Sequence, residues 1–186
     1  MKNSIVKTVT CCILAAFIFF TGKVSAQAMF SADSIKAQFI RDWQRAKIYT
    51  FSYLNTVPAD KYSFKAMDSV RSFAQQMLHL SQGTFGLIGR ATGQNSPVGG
   101  MINENRASAQ TKDSVMYYVG ASYDFALDAL TKMDAGKFGE RVSGGPFSET
   151  RFAWALKAFE HQTHHRGQTT IYIRLLGLRP PNEQLF

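Results

Sequence analysis

Behind Asp33, apolar side chains recur at Ile35, Phe39, Ile40, Trp43, Ala46, Ile48, Phe51 and Leu54. The spacing is largely three and four, the pattern of an amphipathic helix, and Pro58 ends it. A second helix is predicted from near Ser69 to Thr92. Its marked face is Val70, Phe73, Met77, Leu80, Thr84, Leu87 and Ile88. Gly83, Gly86 and Gly89 interrupt that helix at roughly 1 kcal/mol each against alanine, and close approach of a neighbouring helix would account for them. "GQNSPVGG" then reads as a loop. A third helix lies within residues 108–133, with Val115, Tyr118, Val119, Ser122, Phe125, Ala126, Ala129 and Met133 on one side. The glycine-rich stretch "DAGKFGERVSGGPFSET" is predicted as a loop, and Ser148 or Thr150 can cap the fourth helix. That helix runs to Leu176, with Gly177 as its stop and Pro180-Pro181 forbidding continuation. Its core direction is expected to follow Phe152, Leu156, Phe159 and Ile173. Nothing between residues 31 and 177 reads as a run of alternating strands. The pattern predicts an all-α fold, a four-helix bundle whose facing helices can build ligand or metal sites.

The first residues break this pattern. Lys2 and Lys7 precede an apolar run from Val9 to Phe20, and Val24-Ser25-Ala26 follows. This is the order of a secretory signal peptide, and the run is shorter than the roughly 20 residues that span a bilayer. The expected division is a signal peptide at 1–26 and one domain at 27–186. The protein is then exported, periplasmic or secreted, with no stable membrane anchor after cleavage. Both cysteines, Cys11 and Cys12, fall inside the apolar run. The mature chain would therefore have no disulfide and no thiolate ligand. The net charge is +8. Lys2, Lys7 and Lys23 would leave with the leader, and the remaining basic residues are scattered. No basic cluster interleaved with aromatics forms a nucleic-acid groove.

Four histidines stand in the chain, three of them within "HQTHH" at His161, His164 and His165. Residues four apart on a helix lie one above the other, so His161 and His165 can act as a pair. His164, three from His161, is the alternative partner. The stripe continued by Gln168, Tyr172 and Leu176 favours His165 and turns His164 to the flank. The remaining histidine, His79, sits in the apolar context "MLHLS" of the second helix. There it serves either as a hydrogen-bonded core residue or as a third ligand. Three neutral nitrogens suit zinc, nickel, iron or cobalt as a divalent ion and leave coordination positions open. The H-E-x-x-H arrangement of zinc proteases is absent, because Gln162, Thr163 and His164 separate the pair. Gln168 is a candidate for orienting a water or an imidazole, and Arg166 and Arg174 read first as structural.

"HQTHHRGQTTIYIRLLGLRPP" closely resembles the last helix of the DinB family, the DinB/YfiT-like metalloenzymes. The pattern H-x-x-H-H-R-G-Q, Y-x-R, G-x-x-P-P carries the likeness. "LNTVPADKYSFK" and "SFAQQMLHL" resemble that family's first-helix exit and second helix. The resemblance spans about residues 33–181. It implies a bundle of up-down-down-up type, often a homodimer, and a metal site of one histidine from the second helix and two from the last. Carried over, the metal ligands are His79, His161 and His165. Family members include transferases that use low-molecular-weight thiols such as bacillithiol or mycothiol, and the expected signal peptide departs from their cytoplasmic setting. The reading is a metal-dependent hydrolase or group transferase acting on a small-molecule substrate. His164 is the nearest candidate for a general base. The alternative is a non-catalytic metal-binding or ligand-binding module.

Overall fold

The structure, a computed structural model, describes residues 31–186. The expected signal peptide at 1–26 lies outside the described residues. Four long helices dominate: α1 (Ala32–Thr56), α2 (Phe73–Thr92), α3 (Lys112–Lys132) and α4 (Arg151–Leu175).

Their ends are written in local chemistry. At α2, Ser72 accepts from the Gln75 N–H while the Gln75 side chain accepts from the Ser72 N–H at 2.8 Å, a reciprocal capping box. This cap starts α2 at Phe73, about four residues later than the apolar pattern predicts. Thr111 and Thr150 cap α3 and α4 by the first of these bonds alone, accepting from the Ser114 and Ala153 N–H groups. At the end of α4, Gly177 takes φ +74°. Leu178 N–H donates to Ile173 O and Gly177 N–H to Arg174 O, each at 3.0 Å. These two bonds satisfy carbonyls that would otherwise have no partner.

Cross-helix contacts fix the topology. Lys36 Nζ near the start of α1 donates to Thr131 O and Met133 O at the end of α3. Lys112 Nζ at the start of α3 donates to Val57 O beyond the end of α1. These two helices are therefore antiparallel. Arg151 at the start of α4 reaches Ala91 O near the end of α2, and Tyr172 near the end of α4 reaches Arg71 O just before α2. That pair is antiparallel too. Phe39 packs on Phe152 and Phe159, so α1 and α4 run together. The result is the up-down-down-up four-helix bundle, an all-α fold. Because α2 and α3 point the same way, residues 93–111 must return along the bundle. They do so beside α2: Ile102 N–H donates to Gln82 Oε1, Glu104 meets His79, and Asn105 meets Gln75.

The core centres on Trp43, fully buried and edge-on to Phe39, Tyr123 and Phe159. Three expectations need correction. A short hairpin, β1 (Arg141–Gly144) with β2 (Phe147–Thr150), replaces part of the predicted loop before α4. Its strands of four residues are too short to show alternation, and Gly145 at φ +59° makes the turn. Leu156 is 48% exposed, and Ile48, placed in the first helix's apolar set, is 65% exposed. The inward stripe of α4 instead runs through Trp154, Ala155, Ala158, Gln162, His165, Arg166, Thr169, Tyr172 and Ile173. That stripe is half polar, so hydrophobicity alone points the helix slightly wrong. Among the described residues no helix is long and apolar enough to cross a membrane.

Candidate metal centre

His79 from α2 and His161 and His165 from α4 converge between the two helices. One ring nitrogen from each lies within 4.8 Å of the others. The ring centroids are 4.7 Å apart for His79 and His165, 4.4 Å for His161 and His165, and 5.3 Å for His79 and His161. The i, i+4 spacing on α4 stacks one pair, and antiparallel packing on α2 brings the third ring opposite.

Each ring is supported differently. His165 is buried, and its Nδ1 lies 2.8 Å from Gln76 Oε1. The Gln76 amide is oriented by Tyr172: Gln76 Nε2 donates to the Tyr172 hydroxyl, which donates in turn to Arg71 O at 2.7 Å. With the oxygen of Gln76 facing His165, the proton sits on Nδ1 and the lone pair on Nε2. His79 Nδ1 faces Glu104 Oε2 at 3.2 Å, and Glu104 Oε1 accepts from Arg71 Nε at 2.7 Å. A carboxylate behind an imidazole fixes the tautomer in the same sense. His161 differs, since its Nδ1 is buried and has no hydrogen-bond partner. Its ring lies against Gly83, one helical turn after His79. A Cβ at Gly83 would stand 2.5 Å from His161 Nδ1 and 2.8 Å from Nε2. Gly83 is thus needed for the close approach, of a side chain rather than of a whole helix. Gly86 has nothing within 4 Å to explain it.

Electrostatics keeps the two α4 rings neutral. Burial, followed by the neighbouring His79, lowers the His161 pKa to about 4. Burial, followed by His161 and His79, lowers that of His165 to about 3. Both rings therefore offer lone pairs at neutral pH.

His164 points away as its spacing suggested. It is exposed, and its Nε2 lies 3.1 Å from Gln168 Nε2. Gln168 therefore hydrogen-bonds to the odd histidine and, among the described residues, to none of the three that converge. Arg166 is buried deeper, donating to Gln162 Oε1 at 2.8 Å and Thr50 Oγ1 at 3.3 Å and lying over the Tyr49 ring. Tyr123 joins this network by donating to Gln162 Oε1 at 2.7 Å. Burial raises its pKa to about 12, so it stays a hydroxyl donor. Sequence reasoning missed Gln76 and Glu104. Gln76 stands three before His79 on the helix, a spacing that can be read. Glu104 sits in a connection with no periodicity, so no sequence signal places it.

Two cavities flank the histidines. One, of about 590 Å³, touches His165 and His164. The other, of about 470 Å³, touches His79, Met101 and Ile102. Arg71, Glu104 and Asn105 line both.

The fold is shared with solved structures. A DinB-like protein from Bacillus cereus ATCC 10987 is similar with a TM-score of 0.67 at 16% identity, over 78% of this chain and 95% of that one. A DinB-like protein from Bacillus subtilis, YjoA, is similar with a TM-score of 0.60 at 17% identity, over 80% of this chain and 96% of that one. No curated protein matches the sequence. The family model described as DinB family matches residues 29–185, nearly the whole of the described domain, and the chain belongs to the DinB family.

Proposed function

We propose that this chain is an exported metal-dependent hydrolase or group transferase that holds one divalent transition metal through His79, His161 and His165. The observation that carries the reading is the convergence of three imidazoles whose ring nitrogens lie within 4.8 Å. The donor set fits a borderline metal such as zinc, nickel or iron. Two rings are kept neutral by burial, two have their proton-bearing nitrogens fixed by Gln76 and Glu104, and the buried Nδ1 of His161 lacks any protein partner. Bound there, the ion would supply Lewis acidity or lower the pKa of a coordinated water or thiol.

The chain's own residues do the rest. Gln76, held by Tyr172, aims His165. Glu104 aims His79 and, among the described residues, supplies the carboxylate that hydrogen-bonds to the cluster. His164, exposed beside His165 with ring centroids 4.9 Å apart, is the imidazole placed to exchange a proton with a ligand in the larger cavity. A small polar substrate matches that cavity, which is lined by Gln75, Gln76, Asn105 and Gln168.

The test is elemental analysis of the purified protein, followed by a screen of esters, amides and thiol adducts with and without chelator. We expect one ion per chain, lost in His79→Ala, and turnover that the chelator abolishes. Wild-type protein that takes up no divalent metal would overturn the reading. Stoichiometric metal without turnover across the screen would favour the non-catalytic binding module.

A further inference from the structure

Arg71 occupies an unusual place. It precedes the Ser72 cap of α2 and, among the described residues, is the one cation that lines both cavities beside the histidines. A ligand approaching His165 from one side or His79 from the other therefore meets the same guanidinium. Its backbone is pinned, because Arg71 O accepts from the Tyr172 hydroxyl at 2.7 Å. Its side chain is aimed, because Nε donates to Glu104 Oε1 at 2.7 Å. That bond uses one edge of a five-donor fork. The two terminal nitrogens make no hydrogen bond among the described residues, and the side chain is 40% exposed. The nearby backbone donors of α2 offer no rival anion site. Phe73 N–H donates to Phe64 O, Ala74 N–H to Tyr62 O, and Gln75 N–H to Ser72 Oγ.

The charges around this fork do not balance once the centre is loaded. A divalent ion and Arg71 bring three positive charges against the single negative charge of Glu104, since the three histidines are neutral ligands. Lys65 and Asp68, both exposed at the rim of the larger cavity, offset one another. An oxyanion satisfies the excess, and a guanidinium fork matches a carboxylate or phosphate with paired hydrogen bonds.

We propose that Arg71 anchors an anionic group of the substrate, a carboxylate or phosphate, next to the histidine centre. The inference deepens the metal-site reading and rests on it. Glu104 then has two tasks, orienting His79 and holding Arg71 at the junction of the cavities.

The test uses the full mature chain loaded with Co²⁺, whose visible spectrum reports the centre. Succinate, inorganic phosphate and the neutral analogue succinamide are titrated into wild type, Arg71→Gln and Arg71→Lys. Succinate or phosphate is expected to bind wild type saturably. Arg71→Gln should weaken that binding on the order of tenfold or more, the loss of a charge-assisted hydrogen bond, and Arg71→Lys should recover part of it. All three proteins are read at saturating Co²⁺, where succinamide binding should be the same. Equal anion binding by wild type and Arg71→Gln, or no anion binding by loaded wild type, overturns the role of Arg71 and leaves the metal site standing. Failure of wild type to bind Co²⁺ removes the metal site and this inference together.

Discussion

Gly83→Ala is a one-carbon test of the histidine centre. The new Cβ would stand 2.5 Å from His161 Nδ1 and 2.8 Å from Nε2, closer than a Cβ sits to any neighbour. Helix α2 itself would gain from the change, since alanine is favoured over glycine by about 1 kcal/mol in a helix interior. Against this stands an overpacking cost of about 1–3 kcal/mol. The His161 ring is the end of a side chain and can escape by rotating, which keeps that cost near its lower bound. Escape, however, carries the ring away from His79 and His165. Gly86→Ala is the matched control, because it lies on the same helix with nothing within 4 Å. It should stabilise by about 0.5–1 kcal/mol, or roughly 1–4 °C in melting temperature for a domain of this size. Gly83→Ala should give none of that gain. The helix term is common to both variants, so their difference isolates the steric term, at about 1 kcal/mol. Its metal affinity should fall by at least the 10–100-fold seen when a ligand loses its orienting partner, while Gly86→Ala binds as wild type. Denaturant melts and competition with a chromophoric chelator read the two quantities. The reasoning is refuted if Gly83→Ala is as stable as Gly86→Ala and binds metal undiminished.

Two further outcomes follow from the same geometry. Glu104→Gln keeps the shape but removes the charge behind His79, and should weaken metal binding by about 10–100-fold by chelator competition; unchanged affinity would show that the 3.2 Å contact is incidental. The metal-free protein should lose stability between pH 7 and pH 5. The folded pKa values of His161 and His165, about 4 and about 3, lie below the unfolded value of 6.5, so the unfolded chain takes up protons first. The stability is complete above about pH 6.5 and falls on acidification by at most about 1.4 kcal/mol per pH unit for each ring. Equal urea midpoints at pH 7 and pH 5 would contradict this.

What the chain discloses before folding depends on whether burial follows hydrophobicity. In α1 it does for Phe39, Trp43, Ala46 and Leu54, all buried, and three- and four-residue steps locate the helix. Ile48 breaks the count, standing two residues after the buried Ala46 and so about 200° round the helix, and it faces out. In α4 the rule fails at the centre. Gln162, Arg166 and Thr169 are buried, and Leu156 is not. Their polar atoms are tied to one another and to Thr50 and Tyr123, so the stripe is satisfied without being apolar. The spacing of His161 and His165 remains legible, because it depends on helical geometry and not on hydropathy. The hairpin before α4 was not legible, since two strands of four residues leave too little alternation to read.

The supporting shell of the site was illegible for a different reason, which lies in topology. Two neighbouring helices that point the same way cannot be joined by a tight turn. A helix of 20 residues is about 30 Å long, so the chain leaving α2 needs about nine extended residues to regain its start. Residues 93–111 make that return. Their contacts descend α2 as they ascend in sequence: Ile102 on Gln82, Glu104 on His79, Asn105 on Gln75. Each step of three or four residues on the helix, about 5 Å, is matched by one or two residues of the returning segment at about 3.3 Å each. The register of that strap, and not any helical periodicity, is what sets a carboxylate behind His79 and beside Arg71. The three histidines come from helix spacing, while the charge that orients one of them comes from the connection that the bundle's handedness of travel requires. A bundle of the same four helices joined up-down-up-down would need no such strap. It would have to find the carboxylate on a helix face instead.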